Sequence, residues 1–277
     1  MSSFIITLTT DFGATDWYVS AIKGAVLGVS SYARIVDITH NVPSQDVGHA
    51  AFVLGNVFQN FPPETVHVAV VDPGVGTSRR AILLVTPHGK FVAPDNGLLT
   101  YVLLRYERMP EAGGAFMSLR TMPVPYTCEA YELTVPEYWN DIVSSTFHGR
   151  DIFAPVAAHL SLGVKPEFVG TRVEEMVSLN IESPIDQDGQ VEGRIIFIDH
   201  FGNLVSNISA SQLAGDVGEV ELDGVVIGKL SRVYSDRSGL LALVGSHGYV
   251  EIAERDGNAA TRLGVAVGES IRIARQI

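Results

Sequence analysis

A carboxylate and a guanidinium stand seven residues apart in a loop that follows an apolar run. Asp72 comes directly after the valine-rich stretch 66–71, and Arg79 follows Gly74 and Gly76. Such a run, ended by Pro and Gly, predicts a buried strand. Glycine lets the loop present backbone N–H groups to a ligand while Arg79 folds back across it. The competing interpretation is a tight turn capped by Asp72, with a solvated arginine.

Two more polar side chains follow predicted strands. Asp11 comes after the apolar stretch 5–9, and Asn96 follows a later strand. If the sheet is parallel, these groups and Asp72 meet at one edge, where ligands of open α/β sheets bind. The glycine spacing matches neither a phosphate-binding loop nor the dinucleotide fingerprint, which disfavours nucleotide triphosphates and nicotinamide cofactors.

Two histidines extend the candidate set. His40 and His148 could join Asp11 and Asp72 as ligands of a divalent metal in a hydrolase, since carboxylates and imidazoles suit such ions. Each histidine could equally brace its own loop. No two histidines are four residues apart, so the sequence lacks the helical metal-binding pair. The residues alone leave these readings open.

The elements that must position these groups alternate between strand and helix. Residues 5–9, 34–38 and 66–71 predict strands, and helical periodicities follow the first two of them. This alternation predicts a three-layer α/β domain with a largely parallel sheet over residues 1–181. The polar, turn-rich stretch 182–189 is expected to be a linker. Alternating apolar pairs then predict a small β-barrel or sandwich over 190–277.

Composition limits the partners. The chain has 277 residues, is 46% hydrophobic and carries a net charge of −12, which disfavours nucleic acid and anionic membranes. No apolar run is long enough for a membrane span or a signal peptide, so we expect a cytoplasmic protein. The single Cys128 excludes an internal disulfide and a cysteine-based zinc cluster within one chain.

Six motifs occur in order along nearly the whole chain. They are TTDFG at 9–13, ITHNVP at 38–43, VDPGVGTSR at 71–79, APDNGLLT at 93–100, TFHGRD at 146–151 and IDHFGN at 198–203. In these motifs the chain resembles the S-adenosylmethionine (SAM) hydroxide adenosyltransferases, or SAM hydrolases, which are relatives of the fluorinating and chlorinating SAM enzymes. Several motifs together are far more specific than any one of them.

The resemblance implies that water or hydroxide attacks the ribose 5′ carbon of SAM and releases adenosine and L-methionine. The implied catalytic set is Asp72, Arg79 and His148, with no metal and no cofactor, and with the residue that takes the proton left open. The resemblance also implies a homotrimer. Each SAM would lie between the N-terminal domain of one subunit and the C-terminal barrel of its neighbour.

The resemblance further implies a set of substrate-binding residues. Asp11 matches the ligand of the ribose hydroxyls, Asp16 a residue near the methionine amino group, and Asn180 an adenine-side contact. The C-terminal matches lie around methionine and adenine or at further contact positions: Asp199, Phe201, Asn203, Ser246 and Ala259. Three positions depart from the halogenating relatives, because His247 and Glu254 replace Arg and Gln45 replaces Trp.

Two other functions remain as alternatives. A module that binds SAM or adenosine without turnover could use the same pocket, although binding alone does not need the Asp72, Arg79 and His148 set. Halide-dependent cleavage of SAM is disfavoured, because the halogenating branch has Tyr at the position of Asp72. It also has Tyr-Ser where this chain has His148 and Gly149.

Overall fold

The computed structural model describes residues 5–107, 114–213 and 217–275. The chain divides into two compact units, Met1–Asn180 and Ile181–Ile277. The mixed periodicity and the prolines of residues 109–140 predict strands and loops, and positions 109–113 of this segment lie outside the described residues. None of the described helices has the length and hydropathy needed to cross a bilayer.

The first unit is built on a mixed sheet. Its described strands are β1 (Ile5–Thr10), β2 (Arg34–Thr39), β3 (Val66–Val70), β4 (Ala81–Thr86), β5 (Gly89–Pro94), β6 (Leu119–Pro123), β7 (Glu129–Glu132), β8 (Thr171–Val173) and β9 (Glu175–Leu179). The sheet order is β2-β1-β3-β5-β4-β7-β8, and β6 pairs separately with β9. Strands β2, β1, β3 and β5 run parallel, whereas β4, β7 and β8 are antiparallel to their neighbours. The carboxyl ends of β1 and β3 therefore lie side by side.

Helices cover both faces of this sheet, as the strand-helix alternation predicts. They are α1 (Tyr18–Val29), α2 (Val47–Val57), α3 (Thr100–Leu103) and α4 (Ala154–Ser161), with a π-helix at Gly149–Phe153 directly before α4. On one face α1 and α4 pack on Leu8 and Val68, and on the other α2 and α3 pack on Ala69 and Val71. Side chains alternate across a strand, so consecutive residues of β3 supply two separate cores.

The second unit is an antiparallel sheet that nearly closes into a barrel. Its described elements are β10 (Ile185–Gln187), β11 (Gln190–Ile198), β12 (Leu204–Ser209), β13 (Val217–Leu222), β14 (Val225–Lys229), β15 (Leu240–Val244), β16 (Tyr249–Glu254), α5 (Ala259–Leu263) and β17 (Ser270–Arg275). The order is β14-β13-β17-β11-β12-β16-β15, and a bridge between Leu230 and Ala242 joins the two ends. The stretch 182–189, expected to be a linker, contains β10, which pairs with β11.

Two helices differ from their sequence patterns. The sequence after Gly97 predicts a helix, and the structure forms a single turn there, Thr100–Leu103. The apolar residues Ile152, Val156 and Leu160 predict one face of another helix, which starts as the π-helix and is α-helical only over Ala154–Ser161. Apolar periodicity does not separate a wide π turn from an α turn over five residues, so this difference was not readable in the sequence.

His67 on β3 is a buried histidine in an aromatic box. Its Nδ1 lies 2.8 Å from the Thr7 hydroxyl, and its ring stacks on Phe91 with Phe58 and Phe61 at its edges. Burial lowers the pKa of His67 to about 4. The ring is therefore neutral at pH 7, and this charge-free packing is a condition of the native core.

We expect this histidine to make folding sensitive to acid. Its pKa in the folded state lies below the ordinary value of about 6.5, so the unfolded chain binds more protons below that pH. The contribution of neutral His67 to the free energy of unfolding is fully present above pH 6.5. It falls by about 3 kcal/mol in total as the pH drops toward 4. Denaturant titrations between pH 7 and 4 should show a shallower loss for His67→Gln than for the wild type. The exposed His200→Gln should keep the wild-type dependence, and equal slopes for all three proteins would contradict the assignment.

Candidate active site

The loop after β3 holds a buried ion pair. The Arg79 Nε atom lies 3.0 Å from both carboxylate oxygens of Asp72, and Nη2 lies 2.5 Å from Oδ2. The two side chains are only 10% and 5% exposed. A charge pair at this depth is stable only when its partners are well placed. Asp72 therefore binds the arginine and does not cap its own turn.

His148 joins this pair through the same guanidinium. Arg79 Nη2 lies 2.8 Å from His148 Nδ1. Arginine has no acceptor and does not lose its proton, so it must donate this hydrogen bond. Nδ1 is therefore the unprotonated nitrogen, and neutral His148 carries its proton on Nε2. The Phe153 ring lies under the same guanidinium, 5.3 Å from Cζ to the ring centroid.

Burial and the neighbouring Arg79 charge keep His148 neutral. Burial lowers its pKa, and the positive charge of Arg79 lowers it further, while Asp72 and Asp151 oppose the shift. A neutral imidazole with a fixed tautomer can donate one hydrogen bond from Nε2 at pH 7. The set therefore offers one carboxylate, one permanent cation and one neutral donor.

A pocket of about 420 Å³ opens at this set, at the carboxyl ends of β1 and β3. Asp11, Asp72 and His148 line it, and so does Gln45. The backbone N–H of Gln45 donates to Asp11 Oδ2 over 2.8 Å, and Gln45 has a φ of 65°, in the left-handed region. A strained non-glycine residue beside a pocket points to a functional constraint. Asp11 and Asp72 thus meet at this edge as the sequence predicts, whereas Asn96 donates its amide to the Val71 carbonyl and is not among the residues that line the pocket.

An aromatic wall completes the pocket, and sequence reasoning missed it. Phe12, Tyr18 and Phe147 line the pocket, and Phe147 packs edge-on against the other two rings, with centroids 5.8 and 5.4 Å away. The Arg150 guanidinium lies over the Phe147 ring, with Cζ 5.1 Å from the ring centroid. Phe12 and Phe147 belong to the TTDFG and TFHGRD motifs. That motif membership was the available signal.

Two predicted binding residues of the first unit are not among those that line this pocket. Asp16 is exposed. Asn180 is buried, and its amide donates to the carbonyls of Gly114 and Ala115 while Arg120 donates to its oxygen. In this chain the polar side-chain atoms of Asn180 join it to the segment 114–120.

In the second unit, Asp199 organises the loop between β11 and β12. Its Oδ1 accepts the backbone N–H groups of Phe201 and Asn203, and its Oδ2 accepts the Asn203 side-chain amide over 2.8 Å. Phe201 itself is 71% exposed. Phe201 and Asn203 line a second pocket of about 590 Å³ with Tyr234 and Glu254. Three of the predicted C-terminal residues thus share one loop.

The other two predicted C-terminal residues lie elsewhere in this unit. Ser246 is exposed in the turn between β15 and β16, and Ala259 is fully buried at the start of α5. Glu254 pairs with Arg262 at the rim of the second pocket.

A polar network that sequence reasoning missed lies beside the second pocket. The Tyr234 hydroxyl donates to Glu251 over 2.5 Å, and His247 Nε2 lies 2.9 Å from the other Glu251 oxygen. The hydrogen bond to Glu251 raises the pKa of Tyr234 to about 12. His247, which replaces an arginine of the halogenating relatives, is thus engaged by a buried carboxylate. Tyr234 lies 17 residues before Glu251, so no short motif joins it to the other two residues.

The residues of the metal-ligand alternative do not form one cluster. His40 binds the Thr10 hydroxyl through Nδ1 at 2.8 Å and Asp37 through Nε2 at 3.2 Å. It therefore braces its own loop. Within the ranges that the structure describes, no group of three or more His, Cys, Asp or Glu side chains is arranged to hold a metal ion.

The chain matches known protein families over nearly its whole length. Residues 6–170 match the SAM hydroxide adenosyltransferase N-terminal domain, and residues 193–272 match its C-terminal domain. An (R)-S-adenosyl-L-methionine hydrolase of Salinispora arenicola is 37% identical over 97% of both chains. A fluorinase of Nocardia brasiliensis is 28% identical over 97% of this chain and 96% of its own. A crystal structure of an uncharacterized conserved protein from Thermotoga maritima has a TM-score of 0.83 at 36% identity, covering 98% and 100%.

The fold and the matches together define an enzyme class, with a mixed α/β unit followed by a nearly closed antiparallel barrel. Within that class, the chain belongs to the SAM hydroxide adenosyltransferase family. The family resemblance read from the six motifs is therefore confirmed.

The Asp72, Arg79 and His148 contacts predict opposite pKa changes in two variants. Arg79→Met removes a positive charge and should raise the pKa of His148, whereas Asp72→Asn removes a negative charge and should lower it. NMR titration of the His148 ring carbon signals measures both shifts. His159→Gln removes a histidine outside this set and is the control. It should leave the titration of His148 unchanged. Shifts of the same sign in the Arg79 and Asp72 variants would contradict the arrangement.

Proposed function

We propose that the chain hydrolyses SAM to adenosine and L-methionine by attack of water on the ribose C5′ atom. The observation that carries the proposal is the contiguous Asp72, Arg79 and His148 set, which opens into a pocket also lined by Asp11. Relatives along the whole chain that are named (R)-S-adenosyl-L-methionine hydrolases support the same reaction. The relatives' name further indicates the (R) sulfonium epimer as substrate.

The chemistry is a substitution at carbon. The water oxygen forms a bond to C5′, the bond from C5′ to sulfur breaks, and its electron pair stays on sulfur to give neutral methionine thioether. One proton leaves the attacking water. As hydroxide character meets the sulfonium cation, charge disappears in the transition state, so a pocket with few competing waters favours the step. The aromatic wall of Phe12, Tyr18 and Phe147 supplies such surroundings.

Each member of the set has a role that its contacts allow. Arg79 keeps its proton and stabilises the developing hydroxide electrostatically. His148 donates from Nε2 to the water oxygen and orients it, since its Nδ1 is occupied by Arg79. Asp72 accepts the proton, because its carboxylate is the remaining basic group that the set presents to the pocket. The sequence leaves the proton acceptor open, and the exposure of this carboxylate to the pocket supports Asp72 for that role.

Substrate binding uses both units. Asp11, held in place by the Gln45 N–H, binds the ribose hydroxyls with its remaining acceptor positions. Asp16 and Asn180 remain proposed methionine-side and adenine-side residues, and the C-terminal loop of Asp199, Phe201 and Asn203 is proposed to come from a neighbouring subunit. The proposed assembly is a homotrimer, which is the assembly that the family resemblance implies. No metal or cofactor takes part in the proposed step.

Turnover of SAM tests the function directly. Wild-type protein incubated with each SAM epimer, with and without EDTA, should release adenosine and methionine from the (R) epimer at equal rates in both conditions. Asp72→Asn and His148→Ala should lower kcat by about 10²- to 10⁴-fold while calorimetry still detects SAM binding. Asp37→Asn, an exposed carboxylate paired with Lys23, is the control and should keep the wild-type rate.

Three outcomes would contradict the proposal. Binding without product at any enzyme concentration would favour the non-catalytic module. Loss of activity in EDTA that added metal restores would favour a metal hydrolase. Full activity in either active-site variant would remove that residue from the mechanism.

The proposed trimer has its own test. Sedimentation equilibrium should give a mass near three times the 29.8 kDa of one chain. A monomer that turns over SAM at the same rate as the assembled protein would show that the site is complete in one chain.

A further inference from the structure

Asp151 is a buried carboxylate that the proposed reaction does not use. It lies three residues after His148, is 1% exposed and does not line the pocket. Arg150 donates to it through Nε and Nη2, at 2.6 and 2.9 Å. The Asn140 amide donates over 3.2 Å and the Ser144 backbone N–H over 2.9 Å. A buried charge with four donors is costly to assemble, so the segments that supply those donors are tightly constrained.

These bonds close the chain from 140 to 151 into one compact loop that carries His148. The Asn140 N–H also donates to the Asp151 carbonyl over 2.8 Å, and its side chain reaches the Arg150 carbonyl. The Ser144 hydroxyl then accepts the backbone N–H of Thr146. Asp151 thereby joins the upstream and downstream ends of the histidine segment.

The closed loop rests directly on the loop that carries Asp72 and Arg79. A Cβ atom at Gly76 would lie 2.3 Å from the Ser145 carbonyl oxygen, so the two loops touch at a point where only glycine fits. Ser145 directly follows Ser144, whose backbone N–H donates to Asp151. The loops therefore meet twice, at Gly76 with Ser145 and at Arg79 with His148.

The π-helix gives Asp151 a central place between two contacts to Arg79. His148 immediately precedes this helix and binds the Arg79 guanidinium, and Phe153 ends it and lies under the same group. π-helical turns are rare and often occur at functional sites. Asp151, in the middle of this turn, fixes its position relative to residues 140–144.

We infer that Asp151 is a positioning residue, which holds His148 in register with the Asp72 and Arg79 loop through the closed 140–151 loop. The inference rests on the proposed function for its kinetic consequence. Its structural consequence is that the His148 ring keeps one tautomer and one position, and NMR can measure this without any SAM turnover.

Asp151→Asn tests the inference. The substitution replaces one carboxylate oxygen of Asp151 by an NH₂ group, which cannot accept the hydrogen bonds that the oxygen accepted. Part of the four-bond cluster is therefore lost, and the segment that carries His148 becomes less constrained. We expect kcat to fall by about 10- to 100-fold, the loss typical of a small misplacement of reacting groups. KM for SAM should stay within about twofold, since the other pocket residues are retained. In ¹⁵N NMR the wild-type His148 should show an unprotonated Nδ1 and a protonated Nε2, and the variant a mixture.

The control is a matched buried pair in the same unit. Asp95 is 5% exposed and accepts from Arg80 and from the Val177 backbone N–H, so Asp95→Asn removes a similar cluster without touching the 140–151 loop. It should lower Tm with kcat nearly unchanged. Asn140→Ala removes two of the longer bonds at a partly exposed site and should fold, with kcat lowered roughly threefold. It serves as the second variant if Asp151→Asn does not fold.

The outcomes separate the two proposals. An unchanged kcat and an unchanged His148 tautomer in Asp151→Asn or Asn140→Ala would overturn the positioning role, and so would a drop in kcat of equal size in Asp95→Asn. A wild-type protein without SAM turnover would overturn the proposed function, and the NMR comparison would still decide the placement of His148.

Discussion

The buried guanidinium of Arg79 is the interaction on which the site depends. It neutralises Asp72, donates to His148 and stacks on Phe153, so one side chain determines the charge, the tautomer and the packing of its neighbours. Removing a charge pair from water is costly unless every partner is placed. The surrounding structure must therefore hold two chain segments, the 72–79 loop and residues 148–153, in register around this group.

The sheet and its loops provide that register. Strand β3 is buried on both faces, so the loop that begins at Asp72 leaves from a rigid base. The neighbouring β1 brings Asp11 to the same edge, and the helix that follows His148 packs on the core of this face. Short loops on rigid strands can carry polar side chains at a strand end with little freedom, which suits a site that must orient a small nucleophile such as water.

Much of this arrangement was readable from the sequence, and the reason is local. Valine-rich runs before Asp72 predicted a strand and its end, and alternation between strand and helix predicted the sheet edge. The left-handed Gln45 and the Tyr234 network were not predictable, because each depends on a contact between segments distant in the chain. The π-helix was not predictable because apolar periodicity over five residues does not separate it from an α turn. The surroundings of Asn180 were not predictable either, because a sequence match does not reveal that Gly114 and Arg120 hydrogen-bond its side chain.

The central claim is that water held at Asp72, Arg79 and His148 attacks C5′ of SAM, and isotope labelling tests it most directly. A single turnover in H₂¹⁸O, analysed by mass spectrometry, should place one ¹⁸O atom in the 5′-hydroxyl of adenosine and none in methionine. Adenosine without label, or label in methionine, would show that the oxygen enters elsewhere and would contradict the account.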